Sequence, residues 1–173
     1  MGKKIIDFFK STAGMVLIVT ILVGIAVHAA TGNFFTAYNI STLTRAASFI
    51  IIISFGQTIV LLTGGIDLSV AAIGSVSSMF AATFMVEMGM NSYLAILISC
   101  LLGVVFGAVN GFFIAYLKIT PFIVTLATGE IYKGIVYIIT RGMPIVGVPD
   151  DAQFIANGVI GGILPTIVII MLI

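Results

Sequence analysis

Charged side chains are scarce in this chain of 173 residues. They make up 8% of it, whereas 61% of the residues are hydrophobic. A soluble domain carries roughly 25% charged residues, so a water-soluble surface could not be covered with those present here. The net charge is +1, and the few lysines and arginines form no basic face, which argues against nucleic acid as a partner.

Cysteine and histidine each occur once, as Cys100 and His28. A single cysteine cannot build a disulfide framework within the chain. A single histidine excludes the His-Glu-x-x-His motif of zinc proteases, and His28 is far from any glycine-flanked serine that it could activate. The sequence therefore argues against a metal site and against protease chemistry, and we expect no cofactor.

Long apolar segments fill most of the chain instead. A helix needs about 20 mostly apolar residues to cross a bilayer core, and no segment alternates as a barrel strand does, so helices must satisfy the backbone polar groups. We predict an all-α, polytopic transmembrane helical bundle with about five full spans and part of a sixth, and no soluble domain. The predicted spans are residues 11–30, 46–62, 67–86, 93–117 and 121–140, with a sixth from about Ile163.

The last apolar run reaches Ile173 without a polar flank. We therefore expect residues 1–173 to be the N-terminal part of a single, longer transmembrane domain.

Basic residues in short loops set the orientation of such a bundle. With the N-terminus inside, the inner segments hold Lys3, Lys4, Lys10 and Lys118. The outer side then holds Arg141 and, at the end of the second span, Arg45. This excess favours a cytoplasmic N-terminus, with residues 1–10 as a cytoplasmic tail and residues 141–162 as an external loop rich in turn residues.

Glycines recur every four residues in the fourth predicted span, at Gly103, Gly107 and Gly111. Such a stripe lets another helix backbone approach closely, so these glycines are predicted to pack helices. Asn110 lies beside the stripe. It either forms a hydrogen bond between helices or faces a transport pathway.

The string Thr63-Gly64-Gly65-Ile66-Asp67-Leu68-Ser69 interrupts the apolar pattern. One interpretation makes Asp67 the N-cap of the next helix, accepting from N–H groups near Val70, where its charge suits the helix dipole. The other is a break beside a substrate route, because ionisable groups at membrane depth tend to mark such routes. The candidate pathway or gate residues are then Gly64, Gly65, Asp67, Ser69 and Asn110.

Glu130 and Lys133 are three residues apart in the fifth predicted span, close enough to form an intramembrane ion pair. Pairing would lower the cost of placing two charges in the membrane, and a proton relay is the alternative interpretation. At the start of this span, Pro121 suits the first helical turn and Thr120 can cap it.

Four strings together have the order and spacing seen in one protein family. They are Gly65-Ile66-Asp67-Leu68-Ser69, Pro121-Phe122-Ile123-Val124-Thr125-Leu126, Lys133-Gly134 and Gly142-Met143-Pro144-Ile145. From about Phe34 onward the chain resembles the permease subunits of bacterial ABC importers of the ribose and galactose type. Permeases for branched-chain amino acids and autoinducer-2 are related to them.

The resemblance implies a permease subunit of an ATP-driven importer for a monosaccharide or similar small solute, forming half of the translocation pathway in the bacterial inner membrane. The implied partners are a second permease copy or homologue, two cytoplasmic ATP-binding subunits, an external solute-binding protein and membrane lipid. The permease itself would not be an enzyme, since the partner subunits would hydrolyse ATP.

This chain departs from the family pattern in three ways. Family members are about twice as long, Lys133 stands where arginine is common, and Glu130 stands where an apolar residue is usual. Two alternatives follow: a truncated fragment without function, and a proton-coupled transporter that uses Glu130.

Overall fold

Helices dominate the part of the chain that the computed structural model describes, which is residue 7, residues 11–160, residues 164–166 and residue 168. The helices are α1 (Thr12–Thr31), α2 (Ala37–Leu62), α3 (Val70–Val86), α4 (Ser92–Ala115), α5 (Pro121–Thr140) and α6 (Asp150–Asn157). A small antiparallel sheet pairs β1 (Val159–Ile160) with β2 (Leu164–Pro165), so that Val159 lies opposite Pro165.

Four of these helices, α1, α2, α4 and α5, are long and apolar enough to cross a membrane. The fifth apolar helix, α3, has 17 residues and is shorter than a usual span. The predicted all-α, polytopic membrane bundle is thereby confirmed. Ile163, where the predicted sixth span begins, lies outside the described residues, as do Lys3, Lys4 and Lys10.

The second span begins earlier than the sequence predicts. Helix α2 starts at Ala37, and Arg45 is its ninth residue, so the prediction that Arg45 marks the end of this span is wrong. The first turns of α2 carry polar side chains, so the apolar pattern did not predict them as helix. These side chains form hydrogen bonds within the helix, since the Thr44 hydroxyl donates to the Ile40 carbonyl at 2.6 Å.

Residues 141–162, which were predicted to form a loop because they are rich in turn residues, contain α6 and β1. Two aspartates, Asp150 and Asp151, occupy the first turn of α6, where their charge suits the helix dipole. The guanidinium of Arg45 donates to the Asn157 carbonyl at 2.9 Å, which fastens the end of α6 to α2. The external position of this segment stays a prediction.

Helix α3 packs between α4 and α5. Its buried face carries Ala72, Val76 and Met79, which meet Tyr132 of α5. On the α4 side, a Cβ atom at Gly103 would lie 3.1 Å from Ser77 Oγ, so the glycine permits close contact between the two helices. The core therefore lies along α3. The segment that precedes α3 is held by α4 and α5.

Candidate functional site

The non-helical segment between α2 and α3, residues 63–69, is called here the 63–69 break. Gly64 has a φ of +80°, a left-handed conformation that glycine adopts without strain. A Cβ atom at Gly65 would lie 3.3 Å from the side chain of Pro121, the first residue of α5. The two glycines thus turn the chain and let it pass close to the start of α5.

Asp67 does not cap α3 in the way predicted. The N-cap position is occupied by Ser69, which makes no side-chain capping bond to the helix. Asp67 lies two residues earlier, and its Oδ1 accepts from the Ser69 N–H at 2.7 Å and from the Ser69 hydroxyl at 2.6 Å. The prediction was wrong because the carboxylate closes an Asx turn on residue i+2 before the helix begins.

The prediction for the start of α5 is correct for Pro121, which occupies the first turn. Thr120 does hold the N-cap position, but its side chain makes no capping bond. Its carbonyl accepts from the Ile123 and Val124 N–H groups instead.

A line of hydrogen bonds connects α4 to the 63–69 break. Ser69 is completely buried, and its hydroxyl accepts from Asn110 Nδ2 at 2.8 Å. Because the single hydroxyl proton of Ser69 goes to Asp67, the serine must accept from the amide nitrogen, and this fixes the orientation of the Asn110 side chain. Asn110 is 4% exposed, and its Oδ1 finds no hydrogen-bond partner within the described part of the chain.

Thr125 of α5 holds the break from the opposite side, and its role was not predicted. It is 1% exposed, and its Oγ1 accepts from the Leu68 N–H at 3.1 Å. Its hydroxyl lies 2.9 Å from the Pro121 carbonyl, to which it donates. A threonine inside an apolar helix commonly bonds to its own backbone in this way, so only its place in the Pro121–Leu126 string could have singled it out.

These groups border a cavity of about 260 Å³. Residues from the break, α4 and α5 contribute to its wall, among them Gly65, Asp67, Gly107, Asn110, Gly111 and Thr125. A Cβ atom at Gly107 or Gly111 would meet nothing within 4 Å. Within the described residues these two glycines leave space beside the break. Their predicted role in packing helices stays a prediction, whereas Gly103 contacts α3.

Glu130 and Lys133 are not part of this arrangement. Lys133 Nζ lies 2.7 Å from Glu130 Oε1, and the side chains of Lys133 and Glu130 are 61% and 64% exposed, respectively. One charge at the centre of a membrane helix costs about 2.5–3.5 kcal/mol. The ion pair would lower the cost of placing Glu130 and Lys133 in the membrane. Across the described ranges, no group of three His, Cys, Asp or Glu side chains could hold a metal ion.

Comparison with known proteins gives consistent matches. The model of a family described as branched-chain amino acid transport system / permease component matches residues 39–173. The D-allose transport system permease protein AlsC of Escherichia coli (strain K12) is 35% identical over 169 residues, which cover 95% of this chain and 52% of that protein. The ribose import permease protein RbsC of Bacillus subtilis (strain 168) is 38% identical over 122 residues, 70% of this chain and 38% of that protein.

A third relative is the autoinducer 2 import system permease protein LsrC of Yersinia pseudotuberculosis (serotype O:3, strain YPIII). It is 31% identical over 137 residues, which cover 77% of this chain and 38% of that protein. The chain thus spans about half, or less, of the length of these curated relatives. No solved structure matches it significantly.

Proposed function

We propose that this chain, which belongs to the branched-chain amino acid transport system permease family, forms half of the translocation pathway of an ATP-driven importer. The solute we propose is a monosaccharide or a similar small molecule, because relatives named for allose and ribose cover most of the chain. The resemblance drawn from the sequence strings is confirmed. The chain is a multi-pass protein of the bacterial inner membrane.

The observation that carries the proposal is that the 63–69 break bonds to side chains that lie inside the ends of α4 and α5. Asn110, which bonds to Ser69, lies five residues before the end of α4, or roughly 8 Å inside that end at 1.5 Å per residue. Backbone without helical hydrogen bonds is tolerated at membrane depth only where protein buries it or where it lines a water-filled cavity. In the break Gly65 and Ser69 are buried, Asn110 and Thr125 bond to it, and the cavity adjoins it.

With the N-terminus in the cytoplasm, the break lies near the inner end of the bundle. We therefore propose that Gly64, Gly65, Asp67, Ser69 and Asn110 belong to an inner gate of the pathway. Asp67 is partly exposed, and its carboxylate oxygens can accept hydrogen bonds from hydroxyl groups there.

The proposed partners follow from the family. They are a second permease copy or homologue, two cytoplasmic ATP-binding subunits and an external solute-binding protein, with membrane lipid around the assembly. The family is one of transport permeases, and we assign the hydrolysis of ATP to the ATP-binding subunits.

The test is uptake by the whole transporter that contains this chain, reconstituted in proteoliposomes with ATP inside and the solute-binding protein outside. We expect labelled ribose or allose to enter when ATP is present and to stay outside when a non-hydrolysable analogue replaces it. Uptake that follows an imposed proton gradient without ATP would support the proton-coupled alternative. A stable, assembled protein that transports neither sugar would contradict the proposal.

A further inference from the structure

The Glu130–Lys133 pair lies at the middle of α5, where the two residues are the tenth and thirteenth of 20. At 1.5 Å per residue both are roughly 10–18 Å from the helix ends, so they lie deep within a hydrocarbon core about 30 Å thick. Ionisable side chains at this depth face the interior of a bundle or a water-filled cavity. Both side chains are more than half exposed, so the described helices do not supply that interior.

Lys133 also lines an open groove of about 620 Å³ between α3 and α5, called here the α3–α5 groove. Ser78 and Ala82 of α3 form one wall, and Lys133, Tyr137 and Thr140 of α5 form the other. At its far end the groove is bordered by Gly142 and the three residues that follow it. In the proposed orientation this is the outer side, opposite the 63–69 break.

The polar groups of the groove offer both donors and acceptors. Ser78 and Thr140 each donate their hydroxyl proton to a carbonyl of their own helix at 2.8 Å, which leaves the oxygen lone pairs able to accept. Lys133 uses one of its three N–H donors on Glu130 and can offer the others. The paired charges cancel, so nothing in the pair itself favours an anion over a cation.

We infer that the α3–α5 groove forms the outer wall of the solute pathway and that Lys133, paired with Glu130, contacts a neutral, polyhydroxylated solute there. This rests on the proposed function. A groove of this volume lies within the range of small-molecule sites, about 300–1,000 Å³. The two charges are then tolerated at this depth because they face water and solute.

The test is the accessibility of single cysteines in the whole transporter. Replacement of Cys100, the one cysteine of the chain, by alanine gives the parent, and Lys133→Cys, Glu130→Cys and Ile131→Cys are made in it. Ile131 is the matched control because it is 59% exposed and adjacent in sequence, but is turned about 100° around the helix. A charged, membrane-impermeant methanethiosulfonate reagent is applied from outside.

We expect Lys133→Cys and Glu130→Cys to react at least about tenfold faster than Ile131→Cys, since a thiol in lipid does not ionise. Modification should then block uptake of ribose or allose. Should removal of either charge impair folding, Tyr137→Cys probes the same groove and leaves the ion pair in place.

Two results would overturn the inference. One is a reaction rate at Lys133→Cys, Glu130→Cys and Tyr137→Cys no greater than at Ile131→Cys, as expected if the face contacts lipid or another subunit. The other is rapid modification that leaves uptake unchanged. Failure of the parent itself to take up either sugar would count against the proposed function, and the reaction rates would still show whether the groove holds water.

Discussion

Ser69→Ala is the sharpest test of the network that holds the 63–69 break. The serine is completely buried, donates to Asp67 at 2.6 Å and accepts from Asn110 at 2.8 Å. Alanine removes both bonds but retains the bond from the backbone N–H of residue 69 to Asp67. The amide nitrogen of Asn110 is then left in a buried position without its acceptor.

The cost can be estimated bond by bond. A hydrogen bond to a charged group contributes about 1.5–3 kcal/mol, and a buried donor without a partner costs about 1–3 kcal/mol. Asp67 is partly exposed, so the lower end applies to its bond. We expect Ser69→Ala to lower the free energy of unfolding by about 3 kcal/mol.

Asn110→Leu removes the orphaned amide, so the double variant Ser69→Ala/Asn110→Leu should lose less than the sum of the two single variants. Residues in one hydrogen-bond network typically show such coupling, here about 1–2 kcal/mol. The measurement is reversible unfolding of the purified whole transporter in mixed micelles. Ser75→Ala is the control, because the Ser75 hydroxyl is exposed and donates only to the Ala71 carbonyl of its own helix.

Ser75→Ala should change stability by no more than about 0.5 kcal/mol. The reasoning is refuted if Ser69→Ala costs no more than this control. It is also refuted if the two single losses add in the double variant, since the amide would then not depend on the serine.

Three further changes test other parts of the structure. Asp67→Asn should keep the free energy of unfolding within about 1 kcal/mol, because an amide oxygen can accept the same two bonds. Uptake should fall at least about tenfold if the charge serves the gate. Full uptake would limit Asp67 to a structural role. Gly103→Leu should destabilise the α3–α4 contact by about 1–3 kcal/mol, whereas Gly107→Leu should leave this contact intact, as thermal unfolding of both would show. On a cysteine-free background, an impermeant reagent outside the cell should label Asn91→Cys but not Lys118→Cys, and the reverse pattern would invert the topology.

The apolar runs were sufficient to predict where three helices lie. Helix α5 has the predicted bounds, and α1 and α4 differ from theirs by one or two residues. The starts of α2 and α3 were misplaced for opposite reasons. Polar residues such as Thr44 continue α2 by bonding to its own carbonyls, whereas Asp67 and Ser69 bond to each other and delay α3. Hydropathy reports which residues suit lipid, and helix ends depend on backbone hydrogen bonds.

For the candidate site, the sequence indicated which polar residues lie among apolar ones, but it did not indicate their hydrogen-bond partners. Asn110 and Ser69 are 41 residues apart, and only the packing of α4 beside α3 brings them together. Asn110 of α4 bonds to Ser69, the N-cap residue of α3, and also lines the cavity, and its place on a transport pathway stays a prediction. Thr125 escaped notice because its bond to Pro121 is ordinary and its bond from Leu68 is tertiary.

The structure adds one fact about the Glu130–Lys133 pair that the sequence could not supply. A separation of three residues predicts the ion pair, but it does not show whether the pair lies on the buried or the exposed face of the helix. The buried face of α5 carries Val124, Thr128 and Tyr132, and the pair lies off that face. Two charges exposed to lipid would cost several kcal/mol, a large share of the roughly 5–15 kcal/mol that stabilises a typical domain. The position of the pair is therefore best explained by the aqueous solute pathway inferred above, and cysteine accessibility distinguishes this from a neighbouring protein surface.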